Sequence, residues 1–235
     1  MHYNQIIKAE FVERPNRFIA KVIVDGEVVT SHVRNTGRCR ELLVPGCTVY
    51  LEDFAGRMGT RKLRYSLIAV EKGSLLINMD SQAPNKVCEE ALAGGLIKIP
   101  GIGKLTTIRR EVTHGDSRYD FYLEDYAGKK AFVEVKGVTL ENQGVCAFPD
   151  APTERGLKHI EGLIKARGEG YLAAVVFIVQ MSDMKYMVPN DETHPAFGEA
   201  LRRAEDAGVE VLAYECEETP CSLEVEKQLE VRCGF

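Results

Sequence analysis

Asp120, Glu134 and Lys136, all within the stretch SRYDFYLEDYAGKKAFVEVKGVTL of residues 117–140, are residue types that can do chemistry together. Two carboxylates a few ångströms apart repel, and a hard divalent cation with oxygen ligands, such as Mg²⁺ or Mn²⁺, turns that repulsion into binding. Such an ion polarises a phosphoryl oxygen and makes a bound water more acidic. A lysine beside it stabilises developing negative charge or orients the attacking water. Phosphodiester hydrolysis needs these functions. The same residues also fit an ordinary cross-strand ion pair at a hairpin edge, and an acid two residues before a lysine recurs at Asp183 and Lys185.

A hairpin must bring the three together. A DYAGK loop sets the register Glu124–Lys130, Tyr122–Phe132, Asp120–Glu134 and Arg118–Lys136. With a side-chain period of two, Asp120, Glu134 and Lys136 project from one face, and Phe121, Leu123, Val133 and Val135 from the other, apolar one. Around the hairpin the second half reads helix, three strands, helix, strand, helix, strand. VCEEALAGG is a helix stopped by Gly94 and Gly95, and TIRREVT a strand. Thr153 caps a helix through GLKHIEGLIKARG, and LAAVVFIVQ is a strand buried at the centre of a sheet. PAFGEALRRAEDAG and VEVLAYE close the series.

The segment SQAPNK marks a boundary, dividing the chain into residues 1–80 and 81–235. Before it, RFIAKVIV and EVVTSHV flank Asp25-Gly26, a dipeptide that tolerates the positive φ of a tight hairpin. CTVYLED, LRYSLIAV and SLLINMD add three further strands. Five short strands in a row point to an OB-fold-like β-barrel.

Composition narrows the function classes. The 235 residues carry a net charge of −5, and residues 196–235 hold 4 Lys and Arg against 10 Asp and Glu, so the acidity is concentrated at the end. A local basic face can still hold phosphates. The 7 cysteines include no C-x-x-C pair and read as reduced thiols rather than zinc ligands. No apolar run reaches the length of a membrane span, and MHYNQIIKAEFVERPNRF has no signal-peptide core, so a cytoplasmic protein is expected. No phosphate-cradling glycine motif stands at a strand-to-helix junction, so nucleotide cofactors are not indicated.

Six motifs occur in order: RPNRF at 14–18, NTGR at 35–38 followed by ELLVPG at 41–46, PN at 84–85 with EAL at 90–92, SRYDFYLE at 117–124, VEVKGVTL at 133–140, and FPDAPTERGLKH at 148–159. Together they resemble the sugar fermentation stimulation protein (SfsA) family, from about Arg14 to Cys216. The resemblance implies a two-domain α/β protein. An OB-fold-like β-barrel is followed by a restriction-endonuclease-like domain of the PD-(D/E)xK nuclease superfamily, with a mixed sheet, and DNA binding is the implied activity. By position Asp120 corresponds to the first motif acid, Glu134 to the second, Lys136 to the lysine, and Glu90 to an acid that many such nucleases add. Gly137 and Pro152 depart from the family pattern, and Gly137 is expected to loosen the strand after the lysine. Residues 217–235 lie outside the resemblance.

Given that family, Arg34, Arg38 and Arg40 around the NTGR turn, and Arg57, Arg61, Lys62 and Arg64 in a later barrel loop, suit phosphate contacts. Phe54, Tyr50 and Tyr65 are the stacking options there. Arg155 and Lys158 begin the helix after the motif and suit the same role, with His159 close by; all could equally be solvated surface. DNA is the expected partner, RNA stays open, and a homodimer is compatible with the superfamily. The alternative is a DNA-binding regulator of sugar metabolism genes in which the nuclease site survives only as structure.

Overall fold

The computed structural model describes residues 1–35, 37 and 39–234. The barrel is built from β1 (Ile6–Asn16), β2 (Ile19–Val24), β3 (Glu27–Val33), β4 (Thr48–Asp53) and β5 (Tyr65–Lys72), in the order β3-β2-β1-β4-β5. Parallel pairing of Ser31 to Val33 with Tyr65 to Leu67 closes it. Asp25 and Gly26 turn between β2 and β3 with φ of 51° and 84°, as a two-residue hairpin loop requires. The strand β6 (Leu75–Asn78) pairs with the far half of β5.

The barrel's first strand is not among the five strands expected from the sequence, which include β6 in its place. In β1 charged residues alternate with the apolar ones, Pro15 sits near its end, and register shifts follow Phe11 and Glu13, so the segment looks like a polar lead.

The second half contains α1 (Ala83–Gly94), β7 (Leu105–His114), β8 (Ser117–Asp125), β9 (Lys130–Val138), β10 (Leu140–Asn142), β11 (Val145–Phe148), α2 (Glu154–Gly168), β12 (Leu172–Val179), β13 (Tyr186–Pro189), α3 (Pro195–Asp206), β14 (Glu210–Thr219) and β15 (Ser222–Leu229). Its main sheet runs β15-β14-β12-β9-β8-β7, with β12 parallel to β9 and β14 and the other pairs antiparallel. The expected order of elements is present, with four additions. The short strands β10, β11 and β13 form a small separate sheet, and β15 covers the edge of β14. In β15 Leu223, Val225 and Leu229 turn inward beneath an otherwise acidic and polar stretch, which hid the strand.

Helices cover both faces of the main sheet. On one face Val87, Cys88 and Leu92 of α1 pack with Phe121, Val133, Val135 and Ile178. On the other, Ile160 and Leu163 of α2 and Leu201 of α3 pack with Phe132, Val175 and Phe177. That second cluster continues without a break to Leu51 and Leu67 of the barrel. β12 is buried from Ala173 to Val179, as its apolar run predicts. No helix among the described residues is long and apolar enough to cross a membrane, and all seven cysteines are free thiols.

A buried polar network also joins the two halves. The Gln180 side-chain amide, just past β12, donates to the Asn78 carbonyl at 3.0 Å and to Asn78 Oδ1 at 3.1 Å. Asp80 pairs with Arg34 at 3.1 Å, and the Tyr3 hydroxyl lies 3.4 Å from Asp80. Residues 1–3 run along β15 rather than the barrel, with the Tyr3 N–H donating to the Cys221 carbonyl at 2.8 Å.

Thr153 caps α2 as its position predicts, its hydroxyl accepting from the Gly156 N–H at 3.0 Å. Thr153→Ala is expected to cost about 1 kcal/mol of stability in denaturant unfolding.

Candidate metal and nucleic-acid site

The β8–β9 register runs from Glu124–Lys130 to Phe121–Val133, as the loop length predicts, and the paired ladder stops there. The expected pairings beyond it do not form. Arg118 lies opposite Thr113 of β7 and bonds Glu111, rather than facing Lys136.

Simple alternation also fails at Asp120. Tyr119 and Phe121 are two residues apart, yet Tyr119 packs with the α2 cluster and Phe121 with the α1 cluster. Across the ladder, Arg110 pairs with Phe121 and Val112 with Tyr119, and Glu111 between them has φ of 57°. Both strands reverse their faces at Glu111 and Asp120, which lie opposite each other with no shift of register. The Asp120 carboxylate is thereby aimed into the gap between strands. Its Oδ2 accepts from the Val135 N–H at 2.8 Å, and its Oδ1 from the Asn85 amide of α1 at 2.8 Å.

Glu134 faces α2, as alternation predicts. Its residue is only 3% exposed, and Lys136 Nζ donates to its Oε1 at 2.5 Å. His159 Nδ1, from the second turn of α2, bonds the same oxygen. An ionised carboxylate can only accept, so Nδ1 carries the proton. Glu134 Oε2 is buried with no hydrogen-bond partner.

The two acids are driven apart electrostatically. Burial raises the Asp120 carboxyl above the ordinary aspartate value, and the Glu134 charge raises it further, against the bonds from Val135 and Asn85. Burial acts to raise Glu134 as well, but the His159 and Lys136 contacts outweigh it and hold that carboxylate below the usual glutamate range. An orphaned carboxylate oxygen beside a second carboxylate that burial penalises is a donor set suited to a hard dication.

Glu90 is not brought to this pair. Its carboxylate is half-exposed on α1 and holds the Met1 ammonium at 2.8 Å. On that helix Asn85 is the residue that reaches Asp120, and its signal was the PN motif, read only as a family mark.

Among the barrel cations, Arg34 is engaged by Asp80 and by Gln82 Oε1 at 2.7 Å. Arg64 forms a two-bond fork with Asp53 at 2.7 and 2.6 Å, which holds the Asp53 carboxyl low. Arg61 lies 3.7 Å over the Phe54 ring and bonds Ser66. Phe54 is thus covered by arginine, Tyr65 is buried, and the Tyr50 hydroxyl is held by Glu71, so none of the three presents an open stacking face. Arg40 and Lys62 are exposed and carry no ion pair among the described residues. Arg38 lies outside the described residues. Arg155 and Lys158 are exposed on the opening turns of α2, the helix that carries His159. The sequence placed His159 on this helix without a role, because its partner is distant in the chain.

Gly137 does not loosen β9. A Cβ there would lie 2.5 Å from Gln180 Oε1 and 2.6 Å from Pro84 Cγ, so the glycine permits a close approach directly after Lys136.

Comparison with known proteins accounts for the same architecture. Residues 82–222 match the family model described as the sugar fermentation stimulation protein RE domain, and residues 12–79 match the SfsA N-terminal OB domain. The chain belongs to the sugar fermentation stimulation protein family. A family homologue from Desulfitobacterium hafniense is 54% identical over 225 residues, covering 95% of both chains. One from Clostridium perfringens is 50% identical over 232 residues, covering 98% of this chain and 99% of its own. The solved structure of Pyrococcus furiosus SfsA in complex with Ca²⁺ superposes with a TM-score of 0.87 at 30% identity, covering 99% of this chain and 98% of that one.

Proposed function

We propose that this family member binds DNA and hydrolyses phosphodiester bonds with a divalent cation held at Asp120 and Glu134. The observation that carries the reading is the buried, unbonded Oε2 of Glu134 beside the Asp120 carboxylate. Mg²⁺ or Mn²⁺ at these two carboxylates would polarise a phosphoryl oxygen and acidify a bound water. The Pyrococcus relative, solved in complex with Ca²⁺, supports a divalent cation in this fold.

The chain's own residues supply the rest. Lys136 stands at the edge of the pair, where its ammonium can orient a water or meet developing phosphoryl charge. Arg155 and Lys158 offer unengaged positive charge on α2 for the DNA backbone, and Arg40 and Lys62 do so from the barrel. Arg34, Arg61 and Arg64 would first have to leave partners within the fold. In this reading residues 1–80 serve mainly to hold nucleic acid and residues 81–235 to act on it.

Incubation of supercoiled, linear and single-stranded DNA with the protein and Mg²⁺ or Mn²⁺ tests the proposal. Wild type is expected to cleave, and neither EDTA-treated protein nor Lys136→Ala to do so. Equal activity of Lys136→Ala would reject the assignment. Competition with RNA at fixed salt ranks the substrates.

One observation favours a second reading, a DNA-binding regulator without hydrolysis. Glu90 is held by the Met1 ammonium, leaving two acids at the centre rather than three. DNA binding that persists in EDTA and in Glu134→Gln, without cleavage by any form, would establish it.

A further inference from the structure

Lys136 and His159 both donate to Glu134 Oε1, but the two donors differ in kind. Lys136 is half-buried at the end of a flexible four-carbon stem. His159 is buried on α2, as are Gly156 before it and Ile160 and Leu163 after it, and the Tyr119 ring packs edge-on against it at 6.3 Å. One donor ends a stem of rotatable bonds whose side chain is 15% exposed, and the other is a ring held by packing.

That difference matters because Lys136 cannot both neutralise Glu134 and reach a water or a phosphoryl group. If Lys136 were the sole partner, its departure would leave a 3%-exposed carboxylate with no bond on either oxygen, a costly state that the side chain would escape by rotating. With His159 in place, Oε1 keeps a donor and the carboxylate keeps its orientation.

We propose that His159 is a positioning residue that fixes Glu134 through Nδ1, so that Lys136 can leave for the reacting groups while the carboxylate stays in place. The inference rests on the reading of Asp120 and Glu134 as a cation site. It assigns the two donors unequal parts. His159 sets the geometry of the cation site, and Lys136 contributes little to cation affinity.

Titration calorimetry with MnCl₂ on wild type, Lys136→Ala, His159→Ala, His159→Asn and His159→Gln separates these parts. The Asn amide nitrogen falls near the position of Nδ1 and the Gln amide nitrogen near that of Nε2, so only Asn can restore the bond. His159→Ala is expected to weaken Mn²⁺ binding about 10–100-fold, as loss of an outer-shell partner does, whereas Lys136→Ala stays within about threefold of wild type. His159→Asn is expected to recover most of the loss and His159→Gln none.

Melting curves in EDTA confirm that each variant folds, and His159→Asn keeps the test open if His159→Ala does not. Equal losses in Lys136→Ala and His159→Ala, or rescue by Gln as good as by Asn, would overturn the proposal and leave the cation site standing. Failure of wild type to bind Mn²⁺ would overturn the cation reading and the proposal with it.

Discussion

Asp120→Asn is expected to abolish divalent-ion binding and, at neutral pH, to raise the melting temperature of the ion-free protein. The two effects have one cause. Asp120 is held against burial and against the Glu134 charge, and both penalise its ionised form. Asparagine removes the charge and keeps an oxygen to accept from the Val135 N–H, while the Asn85 amide can turn to present its own oxygen.

The gain has a definite pH window. A carboxyl whose folded value is raised destabilises the fold above that value and carries no penalty below the unfolded value, about 3.9 for aspartate. The advantage of Asp120→Asn over wild type should therefore vanish below about pH 4 and grow as the pH rises through the folded value. Glu134 acts in the opposite sense. Its lowered value contributes stability that is present above the usual glutamate range and is lost as the pH falls through the folded value.

A chain of this size gains about 2–4 °C in melting temperature for each kcal/mol of relieved repulsion. Loss of a direct ligand should weaken Mn²⁺ binding by more than the roughly 10–100-fold that follows loss of a supporting partner. A melting temperature that falls at pH 7 would show that the Asp120 charge stabilises the ion-free fold. Unchanged Mn²⁺ affinity would show that Asp120 is not a ligand.

Gly137→Ala is the second large effect. The added methyl would lie 2.5 Å from Gln180 Oε1 and 2.6 Å from Pro84 Cγ. Gln180 cannot simply retreat, because its amide nitrogen also donates to the carbonyls of Asn78 and Asp80 at 3.0 and 3.2 Å. Pro84 is held in the first turn of α1. The overpacking is expected to cost about 1–3 kcal/mol. Because the pressure falls on the residue next to Lys136, cleavage should drop with it. Thermal unfolding checks the first part, and an unchanged melting temperature would mean that β9 can shift at no cost.

The architecture was legible where local chemistry dictates it. The Asp25-Gly26 turn, the all-apolar β12, the Thr153 cap and the Glu124–Lys130 register each follow from a few neighbouring residues. The face reversal at Asp120 was not legible, because the left-handed residue that accompanies it is Glu111, and glutamate gives no warning of positive φ. The partners of the acids were hidden for a different reason. Asn85 and His159 reach Asp120 and Glu134 across 35 and 25 residues of chain, and only the packing of α1 and α2 on opposite faces of the sheet brings them there. Spacing likewise could not show that Glu90 would be taken by the Met1 ammonium.

The apolar cluster that runs from Leu51 and Leu67 through Val175 to Leu201 has a consequence for inheritance. Modules that are shuffled between proteins meet through thin, polar seams, so each can change partners and keep its own interior. Here the barrel and the sheet share an interior, and Gln180, just past the strand beside the lysine, is tied to the end of β6, which pairs with the barrel. Neither half is an exchangeable cassette, and a substitution deep in either is answered in the other.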